Sequence, residues 1–550
     1  MTEIDNLIQT HLLLKNKILE SEKKLRHDYP FRQSLSAIEQ RACSIVQRIR
    51  THELATVWSP NSNDGCPGLF PGIAFDLAKD TIQKTELWRI VKQLPKGALL
   101  HAHIDGMVDM QWLINTALNT PGIHIKSDIP LTSPHKVKEA MIELEYLPAS
   151  SSIPPSELFS QSYVPGTPVQ LLQAAHMCPY GDAQAFESLL VSRTTFSLDD
   201  CLSHHEGIDK IWSRFESIFR VLGGITFYEP IFRQFIRRMC MEALDDKVYW
   251  IDLRVVFLSP FKLSNGATGD FRDLLRIFNE EITNFQHSEL GASFWGARII
   301  WTCHRRQGDG FIRRDMENCL TAKAQFPHLV AGYDLVGQEG LGRTLEEHLP
   351  SLLWFQNECQ KRNLDIPFFF HAGEVSGDGD SHDLNLLDAV IIGTKRIGHG
   401  YSLFKHPVIM NEVKSRDICV EVCPISNELL RLNGSVSSHP VPALLANGVA
   451  VALSSDTPGV FGHIGTRVSC DFWQILNNFD SIGLEGLGDI AETSICYAAF
   501  ADDNGCCEEM GPHSGNKRKI RVSEWRKQWV EFCKWVIEEY SGYVEQISQS

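Results

Sequence analysis

Six side chains in this sequence are of types and at positions that could gather round a catalytic metal ion. His101 and His103 stand at i and i+2 in GALLHAHIDG, so in a strand both rings point to one face. His371 closes the apolar run PFFF, with Glu374 three residues further on. His399 closes RIGHG, and Asp456 closes VAVALSS. In a chain with 21 histidines an HxH pair is expected roughly once by chance, so no single signal stands alone. Together they put histidines and carboxylates at the ends of separate apolar runs. Nitrogen and oxygen donors without thiolate, with room for a water, suit a catalytic zinc ion.

Those runs define the elements that must position the site. They are GALLHAHIDG (97–106), YWIDLRVVF (249–257), FWGARIIWTCHR (294–305) and LVAGYDLVGQE (329–339). Then come PFFFHAGE (367–374), RIGHGYS (396–402), ICVEVCPISNE (418–428) and VAVALSSDTPG (449–459). Each is followed by polar residues and a helical stretch. Runs apolar on both faces and joined by helices read as buried parallel strands. Eight of them predict an α/β fold, a (β/α)8 TIM barrel, whose chemistry gathers at the C-terminal strand ends. An open doubly wound sheet is the alternative, but no phosphate-binding first turn is present. GLGDIA (486–491) matches GxGxxA only loosely and follows no strand.

The remainder divides into an N-terminal helical extension (1–84), a barrel over 85–500, and a C-terminal segment (501–550). Leu7, Leu12, Leu14, Ile18 and Leu25 recur at helical spacing in the extension. An irregular insertion follows strand 1 at about 115–205, marked by LPASSSIPPSE and YVPGTP. The C-terminal segment reads as an exposed loop, then an amphipathic helix over about 523–541.

The chain has 550 residues, with 52 Lys+Arg against 68 Asp+Glu and a net charge of −16. That acidity argues against a nucleic-acid or anionic-membrane partner. No apolar run approaches the roughly 18–20 residues that span a bilayer. The N-terminus lacks a signal-peptide shape, which leads us to expect a cytoplasmic protein. The 15 cysteines are scattered, include no CxxC pair, and read as reduced thiols.

The motifs HAHIDG, DLVGQE, FFFHAGE, RIGHG, CPISNELL and SSDTP, in this order, resemble the adenosine deaminase family of metal-dependent hydrolases. LPKGALLHAH, WSRFESIF (212–219) and VAGYDLVGQE resemble its growth-factor-related branch most. The resemblance covers about residues 85–500 and implies a barrel of the metal-dependent hydrolase type. It implies one zinc ion per chain, held by His101, His103, His371 and Asp456. It implies that His399 orients and deprotonates a water, and that Glu374 protonates the ring nitrogen beside the attacked carbon. Asp456 would also accept a hydrogen bond from that water. Asp105 resembles a carboxylate that meets a ribose hydroxyl, Gly337 a glycine whose backbone meets the purine, and Trp212 a residue packed on substrate. Ser426 and Asn427 are expected to shape the loop after strand seven. Glu339 is expected either to support the base pocket or to be solvated, and Arg254 to balance buried carboxylates.

The implied reaction is hydrolytic deamination of adenosine, or a related purine nucleoside, to inosine and ammonia. One departure bears on the substrate. The family pattern after strand eight has two aspartates before proline, whereas this chain has Asp456-Thr457-Pro458. Thr457 keeps one hydrogen bond to the base but loses a charge-assisted one. That leaves open a modified adenine nucleoside, a nucleotide or another amino-heterocycle. A nucleoside-binding signalling protein is the non-enzyme alternative, against which Glu374 and His399 speak. The expected partner is a small molecule, and the sequence leaves a homodimer open.

Overall fold

A computed structural model describes residues 3–59, 69–152, 154–202, 207–501 and 516–549. The eight apolar runs form eight strands: β1 (Gly97–His103), β2 (Val248–Val256), β3 (Gly296–His304), β4 (Val330–Val336), β5 (His371–Ala372), β6 (Arg396–His399), β7 (Cys419–Val422) and β8 (Val451–Leu453). They pair in parallel as β1-β2-β3-β4 and β5-β6-β7-β8. Isolated parallel bridges join the two sheets at both edges, Tyr333 to Phe368 and Ala102 to Asp456. The strands therefore follow one another round an α/β barrel of the metal-dependent hydrolase type. Every residue of β4 and β7 is buried, which is why those runs, Asp334 and Glu421 apart, are apolar on both faces and do not alternate. GLGDIA lies inside the helix Gly483–Tyr497 and makes no phosphate loop.

Among the described residues, five helices precede β1: Glu3–Leu25, Tyr29–Ser34, Ala37–Thr56, Phe75–Ile82 and Glu86–Gln93. The third starts with a capping box in which Ser36 and Glu39 satisfy each other's backbone N–H groups. The last helix, Asn516–Ile547, is longer than the expected 523–541. Its basic start, NKRKIRV, is rich in good helix formers, and Trp525 and Trp529 bury beyond it against Phe31. The loop expected before it, His204-His205 and Cys506-Cys507 lie in or largely within stretches outside the described residues.

The insertion expected to be irregular contains regular elements. Ile142–Tyr146, Ile123–Ser127 and Val169–Gln170 pair in that order as a three-stranded sheet. IHIKS and IELEY alternate apolar and polar with period two, burying Ile123, Ile125, Ile142 and Leu144. These strands are so short that the surrounding Pro and Ser content masks them in sequence. The helix Ile208–Thr226 packs beside this sheet and delivers Trp212 to the barrel mouth. Among the described residues no helix is long and apolar enough to cross a membrane, and the cysteines are free thiols, most of them buried.

Candidate active site

The six side chains converge at the C-terminal ends of β1, β5, β6 and β8. The Nε2 atoms of His103 and His371 lie 3.4 Å apart. Asp456 Oδ1 is 3.4 Å from His103 Nε2 and 3.8 Å from His101 Nε2. His101, His103 and Asp456 offer ligand atoms within 4.8 Å of one another, as do His101, His371 and His399. His101 Nε2 is buried and has no hydrogen-bond partner. Burial first, then neighbouring positive groups, pushes all four histidines well below the ordinary histidine range, so each keeps a lone pair. A buried, unpartnered nitrogen among neutral imidazoles and one carboxylate fits a zinc ion.

Local sequence explains the convergence. Gly398 in RIGHG leaves room for the His101 ring, because a Cβ there would stand 2.9 Å from His101 Cε1. His103 N–H donates to Asp456 O, and Asp456 N–H donates to His101 O, so the end of β8 clamps β1. His399 and Asp456 both adopt left-handed backbones, at φ 60° and 58°. Such conformations are costly for non-glycine residues and cluster at sites where side-chain aim matters.

Beneath the histidines lies an ion network that the sequence reading mostly missed. His101 Nδ1–H donates to Glu421 Oε2 (2.9 Å), and His371 Nδ1–H donates to Asp334 Oδ2 (2.7 Å). Each bond fixes the tautomer that leaves Nε2 free for a metal. Arg254 reaches both carboxylates at 2.7 Å, the balancing role expected of it. Arg396 binds Glu421 and Asp252. All five side chains are essentially inaccessible. For Asp334 and Glu421 the only sequence signal is a lone charge inside an apolar run, in GYDLV and ICVEVC.

Glu374 faces His399, with Oε1 3.4 Å from Nε2. Burial, then Asp456 and Glu339, raises the Glu374 carboxyl well above the ordinary range, which favours its protonated form. Glu339 is itself buried and accepts the backbone N–H groups of Gly373 and Glu374 at 3.2 and 2.6 Å. It therefore holds the loop that carries Glu374 and is not solvated. Ser426 and Asn427 do more than shape a loop. Ser426 Oγ donates to Asp456 Oδ2 (2.8 Å), and Asn427 Nδ2 lies 3.1 Å from His399 Nδ1.

A cavity of about 500 Å³ opens over this cluster. That volume lies in the usual range for small-molecule sites. Asp105, Trp212, Gly337 and Thr457 all line it beside His103, His371, Glu374, His399 and Asp456. Asp105 Oδ1 and Thr457 Oγ1 are buried without partners, and burial pushes the Asp105 carboxyl up to about 7. Gly337, at φ 98°, brings bare backbone to the wall. Phe215, Phe219, His304 and Arg306 also line the cavity and were not anticipated.

Fold and site thus define an α/β barrel of the metal-dependent hydrolase type. The adenosine deaminase family model matches residues 202–506. Adenosine deaminase 2 of Sus scrofa is 30% identical over 469 residues, covering 84% of this chain and 84% of its own. An adenosine deaminase of Lutzomyia longipalpis is 31% identical over 457 residues, covering 82% of this chain and 80% of its own. A zinc-bound amidohydrolase from Burkholderia ambifaria shares the fold, with a TM-score of 0.53 at 15% identity over 82% of this chain and 96% of its own. The chain belongs to the adenosine deaminase family, and its activity class is that of a deaminase. The relatives named adenosine deaminase 2 accord with the branch expected from the sequence.

Proposed function

We infer that the protein is a zinc-dependent aminohydrolase that deaminates adenosine or a closely related purine nucleoside. The observation that carries this reading is a raised, buried carboxyl, Glu374, beside a cluster of neutral imidazoles that fits a metal. His101, His103, His371 and Asp456 would hold the ion. When bound there, zinc would supply a nucleophile at neutral pH by bringing the pKa of a water down to about 7.

The chain's own residues supply the rest. Ser426 holds Asp456 Oδ2, which leaves Oδ1 facing His101 and His103. Attack at an amino-bearing ring carbon breaks aromaticity, so the adjacent ring nitrogen must gain a proton. Glu374, whose burial favours the protonated form, is placed to give it. His399 Nε2 faces the same space and meets the attacking oxygen. Trp212 and Gly337 form apolar and backbone walls for a flat base, while Asp105 Oδ1 remains open to a sugar hydroxyl. The amine leaves as ammonia.

Thr457 supports a second reading within the same chemistry. Its buried, unpartnered hydroxyl suits a base edge that asks for one neutral hydrogen bond. A modified adenine nucleoside, a nucleotide or another amino-heterocycle would then be preferred. Zinc-loaded protein offered a panel of adenine nucleosides, nucleotides and N6-substituted analogues decides between the readings by ammonia release. Adenosine as the best substrate favours the first and an analogue the second. No ammonia from any compound overturns both.

A further inference from the structure

We propose that Asn427 and His439 hold His399 in the tautomer with its proton on Nε2, so that His399 meets the attacking oxygen as a hydrogen-bond donor and not as a base. This rests on the aminohydrolase reading of the site.

The chain of bonds can be followed from its fixed end. Val441, the first residue of the helix Val441–Ala446, donates its backbone N–H to His439 Nδ1 at 3.3 Å. A backbone amide nitrogen only donates, so His439 Nδ1 carries no proton. His439 is buried, and burial lowers it to about 3, so the ring is neutral with its proton on Nε2. That Nε2–H lies 3.0 Å from Asn427 Oδ1 and donates to it. The amide orientation follows, because the flipped amide would set N–H against N–H. Asn427 Nδ2 then donates to His399 Nδ1 across 3.1 Å. His399 Nδ1 is an acceptor, and the neutral ring keeps its proton on Nε2.

Three features hold this arrangement in place. His399, Asn427 and His439 are all buried, so no solvent competes for these groups. Asn427 sits in the short helix Pro424–Leu429 and accepts the backbone N–H groups of Leu432 and Asn433 on its carbonyl, which fixes its backbone. His399 is held at φ 60°, and its Nε2 lies 3.4 Å from Glu374 Oε1. Moving the proton to Nδ1 of His399 would require turning the Asn427 amide and breaking its bond to His439.

The donor role replaces the base role expected of His399 from the sequence. Its Nε2–H stabilises negative charge on the oxygen as the C–O bond forms, in the manner of an oxyanion-hole donor. Glu374 gives its proton to the ring nitrogen. Of the two protons water gives up, one passes through the carboxyl groups to the amine nitrogen. The C–N bond then breaks and ammonia leaves, and the other proton restores Glu374. Asn427 and His439 touch neither substrate nor metal, and they are positioning residues.

Neutron diffraction on the zinc-loaded full chain reads this directly. The expected map shows deuterium on Nε2 of His399 and of His439, and none on Nδ1 of either. Deuterium on His399 Nδ1 in enzyme that deaminates would overturn the inference while leaving the aminohydrolase reading standing. Absence of deamination would overturn that reading but leave the tautomer readable. Asn427→Asp offers acceptors to both rings and so forces the His399 proton to Nδ1. With zinc content unchanged, kcat should fall about a hundredfold while KM stays within a few-fold. An unchanged or higher kcat would mean that His399 works as a base.

Discussion

Nδ1 of His101 donates to the Glu421 carboxylate across 2.9 Å, and the same carboxylate oxygen accepts from Arg254 at 2.7 Å. One buried acid thus sets a ligand's tautomer and neutralises the barrel floor. Glu421→Gln keeps the shape but removes the charge from between Arg254 and Arg396. Partners of this kind are worth about 10–100-fold in metal affinity. Zinc affinity measured by chelator competition should fall by that order. Losing one member of a buried ion network costs about 3–5 kcal/mol, so Tm should fall too. Unchanged affinity and Tm would remove Glu421 from the site.

Glu374→Gln separates proton donation from metal binding. The amide cannot give up a proton, yet it occupies the same space beside His399. Zinc content should be retained and kcat should drop by about 10²–10⁴. Turnover at the original rate would mean that another group protonates the ring.

Thr457 tests the substrate edge. Its hydroxyl is buried and unpartnered at the cavity wall. Thr457→Asp introduces a charge-assisted contact worth roughly 1.5–3 kcal/mol, so kcat/KM for adenosine should rise about ten- to a hundredfold. Measured kcat/KM that does not rise would show that this contact does not limit adenosine turnover.

Much of this site could be read from the sequence, and the reasons are physical. Parallel strands buried on both faces give unbroken apolar runs, so a polar residue ending one, such as His371 or Asp456, stands out. Asp334 and Glu421 did not stand out, because each is a single charge whose partner lies on another strand. Pairing Glu421 with His101 requires the barrel to bring β7 against β1. The link from Val441 through His439 and Asn427 to His399 spans three segments and depends on donor directions, which spacing does not encode. The strands IHIKS and IELEY were hidden because five residues of alternation are too few to outweigh the loop-like composition around them.

Glu53 carries a pH prediction away from the site. Its carboxylate accepts the N–H groups of Glu86 and Leu87 at the start of the helix Glu86–Gln93, while Oε2 has no partner. Burial pushes this carboxyl from 4.5 up to about 7. The folded value lies above the unfolded one, so the native state holds the extra proton between them. Stability from this group is therefore lost as pH rises from about 4.5 through about 7. Glu53→Gln should keep the bonds to the helix and flatten the fall in Tm between pH 5 and 8, read by thermal unfolding. An unchanged pH dependence would mean that Glu53 is charged at no cost.

The most direct test of zinc-dependent deamination is ammonia release from adenosine by the full chain in three states: zinc-loaded, stripped by chelator, and reloaded. Turnover is expected with zinc, lost on stripping and restored at one zinc per chain. Equal rates with and without metal, or no ammonia at any zinc occupancy, would contradict it.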